Sequence, residues 1–162
     1  MRKGFTLIEL TIMLGVVAIL SGVLFMGLRT SNYRRYVIDA SATIQADLRY
    51  AQRRAMTEGR RVGLLFEQSN NRYWLIARNA PSGGLILLRN EPTYLQNGVI
   101  IHYQNLSGNQ VTFTPRGTAY RAATIRLRAG PGNGRYEQNI VINLGAGRVR
   151  LEPETPSRLG QR

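Results

Sequence analysis

The sequence predicts an α+β chain: a long N-terminal helix, its first half apolar enough to cross a membrane, packed on a C-terminal antiparallel β-sandwich-like head. Three observations predict it. Residues 5–28 carry no charge except Glu9, and residues 29–58 contain neither proline nor glycine. Within the second stretch, Val37, Ala40, Ile44, Leu48, Ala51 and Ala55 recur every three or four residues, the stripe of a 3.6-period helix. From Arg61 onward the apolar period shortens to two and turn-forming residues interrupt it, the pattern of short strands.

Residues 1–4, Met1-Arg2-Lys3-Gly4, are a small basic head. The 24 residues that follow, 5–28, exceed the length a helix needs to span a bilayer. A secretory signal ends its shorter apolar stretch with a small-residue cleavage site. Here the small residue, Gly4, precedes the run, so a cut there leaves the helix on the mature chain. Thr11, Gly15, Ala18 and Gly22 form one small-residue stripe of the kind that lets helices approach closely. Flanking charge leaves the orientation open, because Arg2 and Lys3 on one side face Arg29, Arg34 and Arg35 on the other. Glu9 is costly in such a run unless something pairs with it.

Residues 29–58 read as an amphipathic helix continuing into the head, with Gly59 as its stop. From Phe5 to Glu58 a straight helix measures about 80 Å. Opposite its core stripe, Arg35, Arg49, Arg53 and Arg60 lie within about 40° of one another. Such a face is either solvated or turned toward an acidic partner or DNA. The head, residues 59–151, reads as strands at Val62–Phe66, Arg72–Arg78, Leu85–Leu88, Val99–Tyr103, Gln110–Thr114, Thr124–Arg128, Gln138–Asn143 and Arg148–Leu151. Residues 152–162 are polar and proline-bearing and read as a flexible tail.

Composition narrows the chemistry. There is no cysteine, which removes disulfides, thiolate zinc sites and thiol nucleophiles. His102 is the only histidine and sits in the apolar strand Ile100-Ile101-His102-Tyr103, where a structural role is expected. Past Glu67 the acids are Glu91, Glu137, Glu152 and Glu154, too scattered for a calcium site. The glycines at 130–134 lack the lysine of a phosphate loop. No enzymatic activity, metal or cofactor is expected. The charge is lopsided instead: 22 basic against 9 acidic residues, a net +13, with Lys3 the only lysine. Arginine's planar fork suits phosphate, although genomic base composition alone also enriches arginine.

Gly4-Phe5-Thr6-Leu7-Ile8-Glu9 resembles the processing motif of type IV pilins and pseudopilins. The resemblance implies that a prepilin peptidase cuts between Gly4 and Phe5 and that Phe5 is then N-methylated. It also implies that Glu9 pairs with the new N-terminal amine of a neighbouring subunit during assembly. Many major pilins carry a proline near position 26, where this chain has Met26, which points to a minor subunit. In the head, Leu48-Arg49-Tyr50-Ala51-Gln52-Arg53-Arg54-Ala55, Val62-Gly63-Leu64, Phe113-Thr114-Pro115-Arg116-Gly117 and Gly145-Ala146-Gly147-Arg148-Val149-Arg150 are similar to landmarks of the GspH/FimT domain.

Those resemblances imply partners and place: other pilin or pseudopilin subunits, prepilin peptidase and a single span in the inner membrane. The head would lie outside the cytoplasm, with the filament in the periplasm or at the cell surface. Gly147-Arg148-Val149-Arg150 is similar to the DNA-contacting motif of FimT-type minor pilins, which implies duplex DNA contact by Arg148 and Arg150. Alternation also puts Arg126 and Arg128 on one strand face, and Arg158 and Arg162 in the tail could add contacts. About four neutralised phosphates would make log K fall with log salt at a slope near −3.6. The alternative is a structural tip subunit of a type II secretion pseudopilus that binds no DNA.

Overall fold

The computed structural model describes residues 6–78, 83–95, 98–104, 106–130, 134, 136–145, 147–152 and 155–156, with backbone alone for 23–31, 103, 104, 107, 155 and 156. The expected cleavage site, Gly4 and Phe5, lies outside the described residues, as do Arg158 and Arg162. Helix α1, Leu7–Glu58, contributes to both of two compact units, residues 1–32 and residues 33–162.

In the first unit, α1 begins on a local cap: the Thr6 hydroxyl accepts the Glu9 backbone N–H at 3.4 Å. The carboxylate of Glu9 then stands in the first turn, where the helix dipole favours negative charge. Leu7 and Ile19 are 85% and 70% exposed, and the apolar side chains between them are exposed too. The hydroxyls of Thr11 and Ser21 donate to the carbonyls of Leu7 and Val17 at 2.9 and 2.7 Å, so these polar groups are satisfied within the helix. Among the described residues no helix is long and apolar enough to cross a membrane. The expected span, 5–28, extends past them, since the side chains of 5 and 23–28 are outside the described set.

The second unit is the head. Its part of α1 buries Val37, Ser41, Ile44, Leu48, Ala51 and Ala55, steps of four and three that keep one face turned inward. Gly59, at φ +63°, takes the left-handed conformation that stops the helix. Two antiparallel sheets follow. The first has the order β3-β2-β1-β6, from Leu85–Leu87, Arg72–Arg78, Arg61–Glu67 and Gln110–Phe113, with β4 (Thr93–Tyr94) also on β2. The second has the order β10-β8-β7-β5, from Thr155–Pro156, Tyr136–Ile142, Ala123–Ala129 and Ile100–Gln104, with β9 (Val149–Leu151) also on β8.

Both sheets and the helix share one apolar core, which includes Ile44, Leu48, Leu64, Phe66, Tyr73, Phe113, Ile125, Leu127 and Ile140. β7 shows the alternation most plainly. Ala123, Ile125, Leu127 and Ala129 are buried, while Arg126 and Arg128 face outward.

Two expectations need correction. β4 and β10 are absent from the strands read in the sequence, because two residues are too few to show a period. The tail is not wholly free. Thr155 and Pro156 pair with Glu137 and Tyr136, and the Glu152 N–H donates to the Asn139 carbonyl at 2.9 Å. β8 offers an unpaired stretch of backbone there, and a proline is tolerated at such an edge. His102 lies in β5 as expected; it is exposed, and its Nδ1 lies 2.9 Å from the Gln68 amide nitrogen.

Candidate nucleic-acid interface

The arginine-bearing motif after β8 is held against α1 by close packing and by a glutamine side chain that reaches its main chain. Gly147 adopts φ +58°, and a Cβ there would stand 2.2 Å from the Gly117 carbonyl oxygen and 2.6 Å from the Gln52 amide nitrogen. Only glycine allows this approach. The same Gln52 nitrogen donates to the Gly117 carbonyl at 2.6 Å, closing the turn over Thr114–Thr118 onto the helix. Two turns earlier on α1, the Gln45 amide donates to the Val149 carbonyl at 3.2 Å. The motif is therefore bonded to the helix in its middle and packed closely against it, through Gly147, at its start.

Alternation sorts the rest of the motif. Gly147 and Val149 are buried, while Arg148 and Arg150 are exposed on one face. Together with Arg49, Gln52 and Arg53 of α1 they line a cleft of about 480 Å³. Four guanidinium groups thus surround one groove, with no carboxylate among the described residues of its lining. Among the described residues none of the four has an acidic partner. Arg49 and Arg53 also stand four apart on a helix, a like-charge pair that costs α1 about 0.2–0.5 kcal/mol. Neighbouring Arg54 differs, because it pairs with Glu58, whose carboxyl is held below the usual range by hydrogen bonds from Arg54 and then Arg60. An anion in the cleft would relieve the unbalanced charge.

The other predicted arginines are differently placed. Arg126 and Arg128 share a face as expected, but both are bound to Glu137 on β8, at 2.7 and 3.1 Å. Cross-strand register puts Arg128 directly opposite Glu137, so the pair is partly neutralised and lines no part of the cleft. Of the helix stripe, Arg35, Arg49 and Arg53 are exposed, whereas Arg60 turns to Glu58 at 2.6 Å. Gln45 was not singled out from the sequence, and Gln52 and Gly117 were named there only within family landmarks. The signal available was a pair of glutamines seven apart, at the border between core stripe and arginine stripe.

A long helix with a head of two antiparallel sheets is the architecture of minor pseudopilins. The minor pseudopilin EpsH of the Vibrio cholerae type II secretion system aligns with a TM-score of 0.62 at 13% identity, covering 76% of this chain and 98% of that one. The type IV minor pilin FimU of Pseudomonas aeruginosa aligns at 0.59 and 21% identity, covering 74% and 90%. Escherichia coli GspH aligns at 0.53 and 18%, covering 75% and 92%. No curated protein matches the chain at a significant level. The family model for the type II transport protein GspH matches residues 40–146, well over half of the chain, and the protein belongs to that family. It is accordingly a pilin-like minor pseudopilin of the GspH family, and that family implies association with other pilin subunits.

Proposed function

We propose that this subunit is made as a membrane-inserted precursor, cut by prepilin peptidase between Gly4 and Phe5, and N-methylated on Phe5. The span over 5–28 holds it in the inner membrane with the head outside the cytoplasm. Assembly then draws α1 into a filament, where Glu9 pairs with a neighbour's terminal amine. The role is non-enzymatic and needs no cofactor.

The head adds a binding surface. Arg148 and Arg150 contact the sugar–phosphate backbone of duplex DNA, in the manner expected of a subunit that serves DNA uptake. One observation carries this reading: both arginines open onto a cleft whose described lining holds four cations and no acid. Contacts to phosphate position a duplex without reading its bases, which suits uptake of any sequence.

The experiment is fluorescence-anisotropy titration of a short duplex with the processed full-length protein in neutral detergent, at several salt concentrations. Binding near the micromolar range at moderate salt is expected. Arg148→Gln/Arg150→Gln should lose most of it. A parent that binds only at very low salt supports the other reading, a structural tip subunit of a secretion pseudopilus. The family model's description as a type II transport protein favours that reading.

A further inference from the structure

We propose that α1 supplies the second half of this site. Arg49 and Arg53 bind the same phosphate backbone as Arg148 and Arg150, and Gln52 is the positioning residue that keeps the two halves facing one groove. The inference rests on the DNA reading and assigns it a composite, two-walled site.

The chain neutralises some of its arginines and leaves others without a carboxylate among the described residues. Arg54, Arg60, Arg72, Arg89, Arg126 and Arg128 each have a carboxylate within 4.0 Å. The cleft arginines stand apart from these. Two lie one helical turn apart on α1 and two lie two residues apart at β9, and all four line the same groove. The rise per residue puts the helix pair about 6 Å apart along its axis and the strand pair about 6.8 Å apart. Each wall therefore presents a short row of cations, and a row of phosphates is the anion that answers two rows at once. A single small anion or an isolated carboxylate would leave most of the four unbalanced.

Gln52 lies between the walls. Its amide bonds the Gly117 carbonyl, the same oxygen that Gly147 closely approaches, and Gly147 leads directly into Arg148. Gln45 fixes Val149, between the two motif arginines. Shifting the motif along α1 would break the Gln45–Val149 bond and press Gly147 on the Gly117 carbonyl that Gln52 holds, so the walls are held before any ligand arrives. Such preorganisation favours binding because little ordering remains to be done on contact.

The test uses the processed full-length protein in detergent and the same duplex. Arg49→Gln/Arg53→Gln should weaken binding by about tenfold or more and flatten the salt slope by about 1.8, as two lost phosphate contacts require. A charge-matched control, Arg35→Gln/Arg78→Gln, removes two arginines outside the cleft and should change affinity by less than about threefold. Arg49→Lys/Arg53→Lys should retain the slope while losing part of the affinity, since lysine keeps the charge without the fork. Gln52→Ala should weaken binding at an unchanged slope, a result that lost charge cannot mimic. Should the helix pair behave like the control while Arg148→Gln/Arg150→Gln loses binding, the composite site is wrong and the one-walled reading stands. If the Arg148/Arg150 pair is also silent, the DNA reading itself falls.

Discussion

Tyr73 shows how a single side chain joins helix to sheet. Its ring is buried beside Phe66, 5.6 Å between centroids, and its hydroxyl donates to Asp47 of α1 at 2.8 Å. Burial first, and the Asp47 charge second, raise its pKa well above the usual tyrosine range. Tyr73→Phe keeps the ring and removes the charge-assisted bond, so it should cost about 1.5 kcal/mol in denaturant unfolding. The pH dependence has a definite sign. Above about pH 10 the unfolded tyrosine releases its proton while the folded one keeps it, so stability falls as pH rises. The variant should lose less stability above pH 10 than the parent. An equally steep decline would show that Tyr73 is not its source.

The cleft residues illustrate which parts of a site a sequence hides. Arg148 and Arg150 were legible because a local pattern names them, whereas Gln45 and Gln52 reach partners 104 and 65 residues away. No spacing rule reports such a pairing. Arg126 and Arg128 show the converse. Their alternation was legible, but the neutralising Glu137 lies on the next strand, and only the β7–β8 register brings it opposite.

At the scale of elements, α1 was legible because its buried face repeats over many turns, and Gly59 marks its end. Strands of four or more residues were legible from their period of two, with bounds displaced by a residue or two. The two-residue strands exist only through their partners on β2 and β8. Within the first sheet, β1 approaches β6 so closely at Gly63 that a Cβ would stand 1.9 Å from the Val111 carbonyl oxygen. That neighbour is backbone in a paired strand and cannot turn aside. Gly63→Ala should destabilise the head by about 1–3 kcal/mol, measured by chemical denaturation. A stability within 0.5 kcal/mol of the parent would mean that β6 can shift at little cost.

For the whole molecule, the family places the chain among minor pilin-like subunits, and the proposed division of labour is assembly by the first unit and binding by the second. Glu9 distinguishes the two. It is exposed in the first turn of α1, where an uncompensated carboxylate in a bilayer is costly. Glu9→Leu should leave the precursor inserted and cut but reduce its recovery in sheared filaments several-fold. Undiminished recovery would reduce Glu9 to a helix-capping residue beside Thr6.

The most direct measurement of the central claim is the slope of log K for duplex binding against log salt, in the parent and in the variant lacking all four cleft arginines. A four-arginine, two-walled cleft predicts a parent slope near −3.6 and a variant slope close to zero. Equal slopes in the two proteins would contradict it, because the ions released on binding would then come from elsewhere on the surface.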